Sequence, residues 1–131
     1  MSDMKTISIA CAAISRADGK TFLVRKTGST IFQQPGGKID AGETAVSALI
    51  RELHEELGIT VAPEALTHLG RFSAPAANEA GHVVVAEVFT LHHDAPLHVG
   101  AELAEGIWID PKAPGGIAIA ALSRGHILPL L

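Results

Sequence analysis

Residues 37–59 read GKIDAGETAVSALIRELHEELGI, and a change of hydrophobic period inside them sets the architecture. From Glu43 to Leu57, Val46, Leu49, Ile50, Leu53 and Leu57 recur at helical spacing and form one apolar stripe. Gly58 stands where a left-handed residue ends such a helix. At about 100° per residue, Glu55 lies roughly −60° and Glu56 roughly +40° from Glu52, so three carboxylates share an arc of about 100° beside the stripe. Like charges at these spacings repel by a few tenths of a kcal/mol per pair in an isolated helix. A hard divalent cation offsets that repulsion, because Mg²⁺ and Mn²⁺ prefer carboxylate and water oxygens. Ahead of the helix, Gly36-Gly37 lets backbone approach a ligand closely, and Gly42 allows a tight bend before Glu43. Arg51, four residues before Glu55, is within reach of an ion pair that fixes the carboxylate's rotamer. Loop, helix start and carboxylate row together describe a site for a metal-bound diphosphate.

On either side of this segment the pattern is that of strands. Residues 5–14 alternate loosely, Asp18-Gly19 signals a hairpin, and Thr21 to Lys26 returns. Residues 27–30 form a loop. Ile31 to Gln34 is a short extended piece ending at Pro35-Gly36-Gly37, where helix and regular strand are both disfavoured, and Lys38 to Asp40 is a brief strand. Leu66 to Phe72 and His82 to Leu91 read as strands, the second with Val83-Val84-Val85 at its head. Ser73 to Asn78 is a loop by composition, Ile107-Trp108-Ile109 a short strand, and 117–122 and 126–131 helical. Strands before and after one clear helix, with a helical C-terminus, predict a mixed α/β sandwich.

The 131 residues are expected to form one domain, 1–131, able to bury roughly two-thirds of its unfolded surface. Hydrophobic residues are 47% and charged residues 18%, which excludes a disordered chain. A net charge of −4 with no basic face argues against duplex nucleic acid as a partner. No apolar run approaches bilayer length and no charged-then-apolar leader opens the chain, so a cytoplasmic protein without membrane contact is expected. The one cysteine, Cys11, lies in an apolar run and reads as a buried thiol. The seven histidines show no zinc spacing.

Gly37, Glu43, Arg51-Glu52, Glu55-Glu56 and Gly58, with Leu53 and Ile59 at the apolar positions, match the Nudix box at every defined position. Average residue usage puts a chance match to the seven fixed residues on the order of 10⁻⁸ per window. The chain therefore resembles the Nudix family. The resemblance implies a Nudix-type α/β/α sandwich with a mixed sheet, hydrolysing a nucleoside diphosphate linked to another moiety. Carried onto this chain, it implies Glu52, Glu55 and Glu56 as ligands of Mg²⁺ or Mn²⁺, with backbone at Gly36 and Gly37 completing the site. Arg51 and Glu43 would orient the carboxylates, Lys38 would contact phosphate, and a base could stack on Phe32. Metal-assisted, in-line attack by water also needs a general base, one of these glutamates or another outside the box. Many relatives draw a glutamate from the segment before a Trp-containing strand, where Glu102 fits better than Glu105.

Three activities compete. The leading one is a small MutT-like pyrophosphohydrolase that converts a normal or oxidised nucleoside triphosphate to monophosphate and pyrophosphate, since the short chain has no extra domain to grip a large second moiety. An ADP-ribose or nucleotide-sugar pyrophosphatase is supported only by Pro75, 16 residues beyond Ile59. A non-catalytic nucleotide sensor is the third, disfavoured because every box glutamate is present. The expected assembly is a monomer or homodimer.

Overall fold

The computed structural model describes residues 5–131. Seven strands form one mixed sheet in the order β3-β2-β1-β6-β5, with β4 added to β1 and β7 to β2. The first strand, β1 (Lys5–Ser15), runs parallel to β6 (His82–His92) along its whole length. It meets β2 (Thr21–Lys26) only at Ser15 and Thr21, so the hairpin splays and frees both partners for others. On β2, β7 (Leu103–Ile109) pairs antiparallel along the strand, and the two-residue β3 (Phe32–Gln33) pairs at Val24 and Arg25. The edge strand β5 (Thr67–Pro75) pairs with β6.

The apolar run in β1 exists because both faces are covered. Ala10, Ala12 and Ile14 join Phe22, Val24, Phe89 and Leu91 under helix α1 (Ala45–Leu57). Cys11 and Ala13, one residue out of phase, face the opposite layer with Val88, Leu122 and Ile127. The predicted stripe packs as expected: Leu49, Leu53 and Leu57 are buried, and Val46 and Ile50 flank them. Burial pushes the Cys11 thiol up to about 12, as expected of an inert core cysteine.

Several expectations need correction. The helix starts at Ala45 rather than Glu43, because Thr44 takes the N-cap, its hydroxyl accepting the Ser47 N–H at 3.1 Å. Gly36-Gly37, expected to break regular structure, instead open β4 (Gly36–Lys38), which pairs antiparallel with Ile9–Cys11. Ser73 to Pro75 extend β5 rather than forming a loop; a proline is tolerated at the end of an edge strand. Residues 117–120 are not helical: Ile119 forms a parallel bridge with Phe32, whose N–H donates to the Ala118 carbonyl and whose carbonyl accepts the Ala120 N–H, both at 2.8 Å. The layer beyond is a π-helical turn, Ser123–Ile127, followed by a 3₁₀ turn, Leu128–Leu130, where Pro129 prevents a regular helix. β7 also begins four residues earlier than the Trp108 pattern suggests. Among the described residues, no helix is long and apolar enough to cross a membrane.

Candidate active site

The site is the seam between β4 and the last two turns of α1. The antiparallel pairing of β4 with β1 turns the Gly36 N–H toward the helix, where it donates to Glu56 Oε1 at 3.0 Å. Gly36 has φ +143, and a side chain there would strike the Ala10 carbonyl and the Cys11 backbone. Gly37 is in contact with the next carboxylate: an added Cβ would lie 2.5 Å from Glu52 Cδ. The glycines thus bring backbone against two glutamates.

Arg51 organises the rest. Its Nε and Nη2 donate to the two Glu43 oxygens at 2.9 and 2.8 Å, a bidentate pair. Nη1 donates to Glu52 Oε1 at 2.9 Å and lies 3.6 Å from Glu55 Oε1, while Nη2 also reaches the Lys38 carbonyl and the Asp40 carboxylate. Glu43 itself stands in the turn before the helix, accepting the Asp40 N–H at 2.9 Å. Its hydrogen bonds from Arg51 and from that backbone amide lower its carboxyl to about 2. Arg51 is held still more firmly protonated, chiefly by Glu43.

The two inner carboxylates shift the opposite way from Glu43. Glu56 is only 8% exposed, and loss of water pushes its carboxyl up to about 7 against the lowering pull of the Gly36 N–H. Glu52 is raised for the same reason, with Arg51 opposing. Glu102 lies close enough to raise both further, and Lys26 opposes it at Glu56. Glu105 points elsewhere, bonded to Arg25 at 3.0 Å. Glu55 is 56% exposed at the rim.

Among the described residues, no three His, Cys, Asp or Glu side chains converge into a closed cage. The donor set nevertheless suits a hard cation. Glu52 and Glu56 each commit Oε1, to Arg51 and to Gly36 respectively, and their Oε2 atoms carry no hydrogen bond among the described residues. A row of carboxylate oxygens on one helix turn beside glycine backbone is the chemistry Mg²⁺ or Mn²⁺ accepts, with water filling the remaining positions.

A cleft of about 100 Å³ opens beside this seam, lined by Gly36, Gly37, Lys38, Lys26, Gln33 and Gln34 among others. Lys38 stands at its edge, 3.7 Å from Glu79. Phe32, expected to offer a stacking face, does not line it. Its ring is buried with Leu23, Ile109 and Leu128, because the Ile119 bridge draws β3 into the core. Lys26, Gln33 and Gln34 were not anticipated, since nothing in their spacing marks them; they reach the cleft because β2, β3 and the 34–36 turn converge there.

A mixed sheet carrying a glutamate-lined helix against a glycine strand defines a phosphoanhydride hydrolase of the Nudix kind. The family model of the NUDIX domain matches residues 4–131, and the chain belongs to that family. It is accordingly a pyrophosphohydrolase. The chain is 33% identical over 115 residues to an 8-oxo-dGTP diphosphatase of Haemophilus influenzae, covering 85% of this chain and 81% of that protein. It is 37% identical over 71 residues to the phosphatase NudJ of Escherichia coli, covering 53% of this chain but only 45% of NudJ. Among solved structures, a MutT Nudix hydrolase from Burkholderia pseudomallei superposes with TM-score 0.79 at 25% identity, covering 95% of this chain and 97% of that one. The E. coli dihydroneopterin triphosphate pyrophosphohydrolase shares the fold, with TM-score 0.77 at 19% identity over 95% of this chain and 93% of that one.

Proposed function

We propose that residues 1–131 form one Nudix domain that hydrolyses a nucleoside triphosphate, normal or oxidised, to monophosphate and pyrophosphate. The observation that carries this reading is the buried Glu56, fixed by the Gly36 N–H next to Glu52, with the open cleft beginning at Gly36 and Gly37. Likeness to the H. influenzae 8-oxo-dGTP diphosphatase over four-fifths of that enzyme's length supports a triphosphate of similar size.

In this reading Glu52, Glu55 and Glu56, with Gly37 backbone, hold Mg²⁺ or Mn²⁺. The ion supplies charge neutralisation of phosphate oxygens and a more acidic water. Arg51, gripped by Glu43, holds Glu52 in one rotamer and so leaves its second oxygen free beside Gly37. Lys38 and Lys26, both on the cleft wall, meet the phosphate chain. Glu102, across from Glu52 and Glu56, takes the proton of the attacking water. A nucleotide-sugar or ADP-ribose substrate is the second reading, favoured only by the position of Pro75 on the wall of an adjoining cavity.

A product panel with millimolar Mg²⁺ tests this, offering common and 8-oxo-deoxynucleoside triphosphates, ADP-ribose and a nucleotide sugar, with Glu56→Gln as the blank. Pyrophosphate release from a triphosphate, abolished in the variant, is the expected result. Cleavage of ADP-ribose alone would transfer the assignment to the second reading. Nucleotide binding without turnover of any compound would overturn the enzymatic assignment.

A further inference from the structure

The cleft continues into a second cavity of about 50 Å³ that shares Ile9, Cys11, Gln33, Gln34, Ala77 and Val84 with it. Its remaining walls come from Pro75 and from the C-terminal segment at Ala120, Leu122 and Ser123. The walls are mostly small or aliphatic, and no aromatic ring lines them.

Two residues of these walls each carry a buried polar atom without a hydrogen-bond partner. Gln34 is 6% exposed and donates its side-chain N–H to the Ala12 carbonyl at 3.1 Å, which fixes the amide's orientation and leaves Oε1 without a hydrogen bond. Ser123 is 1% exposed, and its Oγ is likewise unpartnered. A buried polar group left unsatisfied destabilises the fold, so two in residues that wall one cavity indicate groups kept for something that enters it. Oε1 can only accept, whereas a serine hydroxyl can donate or accept. A flat heteroaromatic ring fits the apolar walls, and an N–H on its edge would satisfy Gln34.

We infer that Gln34 and Ser123 are specificity-determining residues that read the polar edge of the substrate's nucleobase, Gln34 Oε1 accepting a ring or exocyclic N–H and the Ser123 hydroxyl bonding the neighbouring edge atom. This rests on the proposed nucleotide substrate, and it selects bases by the donors on their edge rather than by stacking.

The two residues separate recognition from folding. Ser123→Ala removes an atom that bonds nothing in the free protein, so its melting temperature should equal or exceed that of the parent. Its Kd for a nucleoside monophosphate, measured by calorimetric titration, should rise about 3- to 10-fold, the worth of one buried neutral hydrogen bond. In turnover the rise should fall on KM with kcat held, and ribose 5-triphosphate, which lacks a base, should be cleaved equally by both proteins. Gln34→Leu should erase the parent's preference for a hypoxanthine nucleotide, which carries a ring N–H, over the unsubstituted purine nucleotide, which has none. Unchanged Kd and KM in Ser123→Ala would overturn the inference while leaving the hydrolase assignment intact, as would equal affinity of the parent for the two purines. Failure of the parent to bind any nucleoside monophosphate would overturn it as well. If the parent binds these nucleotides but hydrolyses none, the hydrolase reading falls and the recognition of the base stands on the titrations.

Discussion

Two arginine–carboxylate clusters decorate this sheet, and they are built on opposite principles. On β5 and β6, Glu87 receives Arg71 Nε at 2.6 Å and sits 2.8 Å from His68 Nε2, so one carboxylate has two basic partners. On α1 the ratio is reversed: Arg51 alone serves Glu43, Glu52, Glu55 and Asp40, with Glu56 and Glu102 close by. The first cluster is electrically complete, and its carboxyl titrates below its usual range because Arg71 holds it ionised. The second carries surplus negative charge, part of it driven out of water. A fold gains nothing from that surplus, so its retention points to a positive partner that arrives from outside.

The largest effect that would sharpen the contrast is at Glu56. Glu56→Gln should cut turnover at least about 100-fold, beyond the loss typical of residues that only support a metal ligand. It should also raise the melting temperature at pH 8, since a neutral amide keeps the Gly36 N–H bond without a desolvated charge. A less stable variant at that pH would contradict the account of the buried carboxyl.

Arg51→Lys comes next, with turnover down roughly 10- to 100-fold, because a point ammonium cannot grip both Glu43 oxygens and Glu52 together. Full activity in this variant would show that the bidentate clamp does not position the site.

Smaller still are the opposed pH dependences of stability, followed by thermal melts of the metal-free protein. Glu43, lowered from 4.5 to about 2, contributes stability that is present above pH 4.5 and lost as pH falls toward 2. Glu56, raised from 4.5 to about 7, has the reverse sign: its contribution is complete below pH 4.5 and drains away as pH climbs through 7. Glu43→Gln should therefore flatten the acid limb and Glu56→Gln the neutral one. Equal slopes in the parent and both variants would remove the distinction.

The least consequence is expected at the complete cluster. Glu87→Gln should cost under about 1 kcal/mol, as partly exposed pairs do, and leave kcat and KM unchanged. A loss of activity there would erase the difference between the clusters.

The helix was legible because its period and its Gly58 terminus are local signals, although the period starts it at Glu43 and misses the Thr44 cap, and the glutamates' place beside the stripe follows from the same period. What escaped was set by distant partners. Gly36-Gly37 carry no strand pattern, yet β1 recruits them. Ile117 to Ala120 look helical by composition, yet bridge Phe32 and pull that ring away from the cleft. Gln34 and Ser123 are 89 positions apart, by their numbers in the chain, and only the fold brings both to one cavity wall.

The neighbouring glycines of β4 differ in what a single methyl would do. At Gly36 it would collide with the backbone of β1, and the strand itself would have to move. At Gly37 it would meet only the tip of the Glu52 side chain, which can swing aside and leave every strand in place. On the proposed reading, Gly37→Ala is therefore a silent lock: a molecule that keeps its shape and the cavity proposed to read the base while the Glu52 carboxylate, the proposed metal ligand, is levered out of position. Such a molecule would hold an uncleaved nucleotide long enough for it to be recovered and identified.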